Sequence, residues 1–583
     1  MSPRMRPPRR AVAPASLLLS ALAGLVLSGC GGDPPDARDV EAGDPDAEVH
    51  APPVTGPVDW HLAGGRVVDG SGSEPRLADV LVQDDRIVYV GPVDPDTLEI
   101  LERFDATGMV VTPGFIDSHA HGDPLSTPAF ENFLAQGVTT ILLGQDGSSP
   151  PAGEMDAHFS EVERSGVAPN VAYLAGHNTL RGESGLGFGS GSDEAALAPL
   201  VRLVETALEA GAFGLSLGLE YTPGQLAGDE ELAAMARPVA ARNGVVMSHM
   251  RTEDAGAVAG AVDELLEIRR RTGARVHVSH MKVVLGSDPD EATGILSMMQ
   301  EAREARAAGT ARTSAGTGGV TGDVYPYLAS FTGIAILFPD WARPPNDYDA
   351  VRAQRGDELA AHLRDRVNAR NGPEATLFGT GPWAGQTLAE AAEAEGRPFE
   401  ELLVALGPGG ARAAYFVMDP EVMSVFLTDP HVAVSSDGSP TMGHPRGYGS
   451  FARVIRQYVL DEGLLTLEEA IRKMSALPAS IIGLDADARV DVPRGRILPG
   501  WAADLAVFDP AAFIDRADFQ NPHTLAEGMA GVWVNGTLSW TGGAPVSGAR
   551  DGRMLRDRGS PPSPEATTEV LSETEPGPNR EGG

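Results

Sequence analysis

Pro113-Gly-Phe-Ile-Asp-Ser-His-Ala-His121 is the stretch that decides how the rest of the chain is read. It closes an apolar run that begins at Met109. Successive side chains of a strand alternate faces, so His119 and His121 point the same way, roughly 7 Å apart. Two imidazoles on one strand face are half of a metal site. The other half has to come from the ends of other buried strands.

Outward from that run, short apolar stretches alternate with amphipathic helical patterns. Strands are expected at residues 114–121, 139–144, 170–176, 212–218, 245–250, 275–281, 322–327 and 431–437, with helices such as 194–210, 229–243 and 254–272 between them. Eight parallel strands with helical crossovers predict an α/β fold, a (β/α)8 TIM barrel over residues 113–494. The interval 339–430 is far too long for a crossover and is expected to be an insertion or lid, with an extra strand at 413–418. A Gly/Thr/Ser-rich stretch at 309–319 is expected to be a mobile loop. Short β-rich runs before the barrel return near the C-terminus at 503–508 and 531–535. Both ends of the fold are therefore expected to build one small β-sandwich, from residues 59–112 and 495–549.

The N-terminus has a different character. Arg4, Arg6, Arg9 and Arg10 precede an apolar segment, 15–27, too short to span a bilayer. It ends in Leu27-Ser28-Gly29-Cys30, which resembles the lipobox of bacterial lipoproteins, so residues 1–30 are expected to be a signal peptide with Cys30 lipidated. A lipid chain anchors a protein to a membrane without spanning it. Gly31 after the cysteine implies, by the same resemblance, an outer-membrane address in the cell envelope. Residues 31–58 and 550–583 read as a disordered tether and tail.

Formal charge is −36, and −40 once the four leader arginines are gone, which argues against nucleic acid as a partner. Cys30 is the only cysteine, so thiolate metal sites within the fold are excluded. The only lysines are Lys282 and Lys473.

Barrel active sites lie at the C-terminal ends of strands. Those ends carry His119 and His121, then Asp146, His249, His280 and Asp437. His249 and His280 are one βα repeat apart, which puts them on adjacent strands at the same height. Imidazole and carboxylate donors suit Zn²⁺ with a position left open for water. Lys282 follows His280 by two, so both face one side of their strand, where a cation could grip a substrate carboxylate.

The opening motif and this His/His/Asp series resemble the amidohydrolase superfamily. Gln136-Gly-Val-Thr-Thr140, Gly214-Leu-Ser-Leu-Gly-Leu-Glu-Tyr221, Ser248-His-Met-Arg251, Ser279-His-Met-Lys282, Asp323-Val-Tyr-Pro-Tyr327, Ser435-Ser-Asp-Gly438 and His444-Pro-Arg-Gly-Tyr-Gly449 narrow the resemblance to the D-aminoacylase, or N-acyl-D-amino-acid deacylase, group. The resemblance implies one or two Zn²⁺ per chain and an N-acyl-D-amino acid as small-molecule substrate. It implies a tightly held zinc on His249 and His280, and a weaker one on His119, His121 and Asp437. Asp437 is then the general base, and Lys282, Tyr325 and Arg446 bind the substrate carboxylate. Many members carry cysteine where this chain has Asp146, so Asp146 is left to bridge two metals, bind one, or leave the site mononuclear. A related cyclic-amide or dipeptide hydrolase, and an envelope-anchored binding protein with a degenerate site, stay open as alternatives. Arg251 and Glu220 sit near strand ends without an assigned role.

Overall fold

The barrel strands are β1 Phe115–Asp117, β2 Val138–Leu143, β3 Asn170–Tyr173 with its continuation Ala175–Gly176, β4 Gly214–Gly218, β5 Val245–His249, β6 Arg275–Val278, β7 Val320–Val324 and β8 Val432–Val434. The structure is a computed structural model that describes residues 54–191, 193–305, 319–486 and 488–559. All residues of the eight strands are buried, as expected of parallel strands covered by helices outside and packed side chains within. Pairing runs from β1 to β2 and β3, and from the β3 continuation through β4, β5, β6 and β7 to β8. The ring closes through a parallel bridge between Ala120 and Gly438. There the Asp437 N–H donates to the His119 carbonyl and the His121 N–H to the Gly438 carbonyl, both at 2.8 Å. The seam that closes the barrel is thus made by the backbone of candidate metal ligands.

Helix Glu194–Ala210 shows why the pattern was readable. Asp193 caps it by accepting from the Ala196 N–H, Gly211 ends it at φ +109°, and Leu197, Leu200, Val204, Ala207 and Leu208 form its buried stripe. By contrast the helix expected from residue 254 begins only at Val258 (Val258–Thr272). Asp254 is taken up instead in a bridge with Val284 and in ion pairs with Arg366 and Arg370.

The insertion starts earlier and ends earlier than expected. Ala329–Gly333 pairs antiparallel with Arg412–Phe416, which also pairs with Thr376–Phe378. Its helices, Tyr348–Ala369, Leu388–Glu395 and Phe399–Leu406, bury their own core around Leu359, Leu363, Leu388 and Leu402. Helix Pro420–Thr428 packs against β7 and β8 and is the ordinary crossover into β8.

Both ends of the fold meet in one nine-stranded sheet. Val110–Pro113 pairs antiparallel with Leu505–Phe508. Strand Val58–Val67 pairs with Ile100–Asp105 over its first half and with Val110–Pro113 over its second, so the sheet folds over itself around a bulge between Leu62 and Gly65. Trp533 fills that fold, edge-on to Trp60 and Phe104 at 5.5 and 5.0 Å.

Residues 550–559, read in the sequence as the start of a disordered tail, are packed against the barrel. Met554 and Leu555 are buried, Met554 bridges to Val171, and Asp557 pairs with Arg489 at 2.6 Å, both side chains 2% exposed. Hydropathy misses this because the segment is held by backbone hydrogen bonds to Val167, Val171, Gly211 and Arg489 and by a buried ion pair. The expected signal peptide with Cys30, most of the tether, most of the loop at 309–319, and residues 560–583 lie outside the described residues. Among the described residues no helix is long and apolar enough to cross a membrane.

Lys473 is structural. Its ammonium is buried and donates to the carbonyls of Asp429 and Val432 where the chain enters β8, and burial pushes its pKa down to about 7.

Because Arg489 would be left as an unpaired buried cation, Asp557→Asn should cost on the order of 3 kcal/mol in urea unfolding; a change near zero would mean the terminal segment is not part of the folded unit.

Candidate metal centre

The histidine motif leaves extended geometry at Asp117, the last residue of β1. The buried Asp117 carboxylate accepts from the His119 N–H at 3.2 Å, the Ser436 N–H at 3.1 Å and the Ser436 hydroxyl. Burial outweighs these donors and pushes the carboxyl pKa up to about 7. The pinned turn brings the His119 and His121 ring centroids to 5.4 Å, closer than a continuous strand would. Three further candidate ligands are aimed by left-handed backbone: Asp146 at φ +54°, His280 at +36° and Asp437 at +47°. Non-glycine residues pay roughly 1 kcal/mol or more for this conformation, and it clusters where surrounding structure demands a particular aim.

All six side chains converge. His121 Nε2 lies 3.1 Å from Asp437 Oδ1, and His119 Nε2 lies 3.7 Å from the same oxygen. Asp146 Oδ1 is 3.4 Å from both His119 Nε2 and His280 Nε2 and 3.8 Å from His249 Nδ1, while its Oδ2 is 3.5 Å from His121 Nε2. His249 Nδ1 and His280 Nε2 face each other at 2.8 Å. Two sets of donors result, His119/His121/Asp146/Asp437 and Asp146/His249/His280, and Asp146 belongs to both.

These atoms fit a divalent cation and are poorly served without one. Both ring nitrogens of His119 and the Asp146 Oδ1 are buried with no hydrogen-bond partner, which buried polar atoms rarely tolerate. The opposite nitrogens of the other pair are already held, as ligand imidazoles usually are. His249 Nε2 meets Glu220 Oε2 at 2.9 Å, and His280 Nδ1 meets Glu253 Oε1 at 3.0 Å. Below them the buried Asp323 takes His277 Nε2 at 2.6 Å, the His280 N–H at 3.0 Å and the Ser435 hydroxyl, and lies 3.8 Å from His119 Nδ1. Burial alone would raise the Asp146 carboxyl, but the His119 and His280 imidazoles outweigh it and hold it well below the usual carboxylate range.

Lys282, Tyr325 and Arg446 stand on the same wall. The Arg446 guanidinium lies 4.7 Å and the Lys282 ammonium 5.7 Å from the Tyr325 ring centroid. Each cation already has a carboxylate: Lys282 Nζ meets Glu253 Oε1 at 2.6 Å, and Arg446 Nη1 meets Asp437 Oδ2 at 2.8 Å. Against burial, the Arg446 contact holds Asp437 below its ordinary range. Burial pushes the Tyr325 hydroxyl up to about 12, so it stays a donor at neutral pH.

The site opens into a cavity of about 760 Å³ between the barrel mouth and the insertion. Glu220 holds His249, whereas Arg251 is tied to Glu264 and to the carbonyls of Gln225 and Ala227 and is structural. Glu253, Asp117 and Asp323 were not singled out from sequence. Asp117 and Asp323 sit inside quoted motifs, and that was their only signal. Glu253 lies in the turn after β5, where no periodicity marks it.

Residues 102–333 and 341–539 match the profile described as "Amidohydrolase family". The chain is 34% identical over 524 residues to an N-acyl-D-glutamate deacylase of Alcaligenes xylosoxydans xylosoxydans, covering 86% of this chain and 96% of the relative. It is 32% identical over 526 residues to a D-aminoacylase of the same organism, covering 86% and 98%. Among solved structures, an N-acyl-D-glutamate deacylase from Bordetella bronchiseptica, complexed with zinc and a phosphonate mimic of the tetrahedral intermediate, superposes with TM-score 0.73 at 30% identity, covering 86% of this chain and all of the other. A D-hydantoinase from Bacillus sp. AR9, at 16% identity and TM-score 0.51, is alike in fold alone.

Proposed function

This chain belongs to the amidohydrolase family, and from that premise we propose that it is a zinc-dependent hydrolase cleaving the amide bond of N-acyl-D-amino acids to a carboxylate and a free D-amino acid. The observation that carries the reading is the convergence of four histidines and two aspartates at the barrel mouth, where both ring nitrogens of His119 and the Asp146 Oδ1 are buried without a hydrogen-bond partner.

His119, His121, His249, His280, Asp146 and Asp437 are the residues that would hold zinc. When bound, zinc acts as a Lewis acid toward the amide carbonyl and makes water more acidic. Asp437 is positioned to take the proton from the attacking water and to pass it to the leaving nitrogen, and Arg446 fixes its carboxylate while it does so. Lys282, Tyr325 and Arg446 supply cationic and hydroxyl donors for the substrate α-carboxylate, which would hold the scissile amide in register with Asp437. Asp146, common to both donor sets, would supply a carboxylate oxygen to either zinc. The leader 1–30 and Cys30 support an address in the bacterial envelope through a lipid anchor, with the outer membrane favoured. There the enzyme would act on D-residue fragments.

Three results test this reading. Amine release from N-acetyl-D-amino acids should exceed release from the L-enantiomers, hydantoins and dipeptides by at least tenfold, and should stop on chelation and return with zinc; preference for a hydantoin or dipeptide would assign the site to a different hydrolase. Asp437→Asn should lower kcat by roughly 10²–10⁴-fold with circular dichroism unchanged, and near-normal turnover would remove Asp437 from the proton path. Elemental analysis of Asp146→Ala should show loss of one of two zinc equivalents, with Asp146→Cys retaining both; full occupancy in Asp146→Ala would mean that this carboxylate is no ligand.

A further inference from the structure

Four cations line the cavity: Lys282, Arg370, Arg412 and Arg446. Three are already neutralised at close range. Lys282 meets Glu253 at 2.6 Å, Arg446 meets Asp437 at 2.8 Å and Arg370 meets Asp254 at 3.1 Å. Arg412 differs: its guanidinium has no carboxylate partner among the described residues.

Arg412 is solvent-exposed at the cavity rim, but its backbone is fixed. Arg412 opens the insertion strand Arg412–Phe416, opposite Gly333 in register. Its N–H donates to the Thr380 hydroxyl at 2.8 Å, and its carbonyl accepts from the Gly379 N–H at 2.9 Å. The guanidinium lies 6.0 Å from the centroid of Phe331, which also lines the cavity. The carbonyl oxygen of Phe331 in turn faces Arg446 Nη2 at 3.5 Å. One residue, Phe331, therefore separates the arginine that reaches Asp437 from the arginine that has no counter-charge.

A cavity wall that also carries Asp146, Glu220, Glu253, Asp254 and Asp437, in a chain of net charge −36, is hostile to a substrate with two negative charges unless a cation is left free for the second one. A guanidinium is the side chain best shaped to take a carboxylate through two parallel hydrogen bonds.

We propose that Arg412 is a specificity-determining residue that receives a second carboxylate of the substrate, so that the preferred N-acyl-D-amino acids are dicarboxylates. The second carboxylate sits either on the amino-acid side chain or on the acyl group. This rests on the hydrolase reading above and adds the substrate class to it.

The test is steady-state kinetics of the zinc-loaded protein on N-acetyl-D-glutamate, N-acetyl-D-glutamine, N-succinyl-D-alanine and N-acetyl-D-alanine. At least one dicarboxylate should have a KM about tenfold below that of its monocarboxylate counterpart, and the glutamate and succinyl arms identify where the second charge lies. Arg412→Gln should raise that KM about tenfold with kcat unchanged and leave the monocarboxylate substrates as they were, while Arg412→Lys recovers part of the loss. Equal KM for dicarboxylate and monocarboxylate substrates in the wild type overturns the proposal, as does an Arg412→Gln effect of the same size on all four. No turnover of any of the four contradicts the hydrolase reading itself, and the substrate class falls with it.

Discussion

A carboxylate surrounded by four imidazoles in a buried place cannot be left to itself. Asp146 Oδ1 has no hydrogen-bond donor and lies within 3.4 to 3.8 Å of the nitrogens of His119, His249 and His280. Burying a carboxylate oxygen without a hydrogen-bond donor is costly, and the ring nitrogens of His119 crowd toward the same point without a partner of their own. A cation at the shared focus resolves both problems, and much of the barrel mouth is arranged to hold that focus fixed. Asp117 pins the histidine turn to the end of β8, Asp323 braces β6 and β8 from below, and Glu220 and Glu253 turn the rings of His249 and His280. Left-handed backbone at Asp146, His280 and Asp437 is the conformational cost of that aim.

The same arrangement ties the metal centre to substrate recognition. Lys282 and His280 share Glu253, and Arg446 and Asp437 form a pair. The groups proposed to grip a substrate carboxylate are therefore in direct contact with the groups proposed for the chemistry, so on that reading carboxylate binding and alignment of the scissile amide become one event. The insertion adds the outer wall of the cavity, bringing Phe331 and Arg412 on its own small sheet over the barrel mouth.

Much of this was legible in the chain and some was not, for physical reasons. Strand-end histidines were readable because a parallel barrel strand is a short, fully buried apolar run, and whatever polar residue ends it stands at the active-site face. Helix Glu194–Ala210 was readable to the residue because Asp193 and Gly211 punctuate it. The insertion boundary was misjudged because the strand Ala329–Gly333 owes its existence to a distant partner, Arg412–Phe416, a contact with no local signal. The segment 550–559 looked disordered because backbone hydrogen bonds to the barrel and a buried Arg489–Asp557 pair carry no hydropathy. Glu253 escaped notice for a similar reason: it lies in a turn, and its importance comes from Lys282 and His280 arriving from the next strand.

The account depends on a metal ion seated where Asp146 meets both sets of histidines. Anomalous diffraction at the zinc edge from crystals of the protein grown with zinc measures this directly. The expected result is a peak within coordination distance of Asp146, His249 and His280, with a second beside His119, His121 and Asp437. Zinc found elsewhere on the molecule, with this focus empty at full zinc loading, would contradict it.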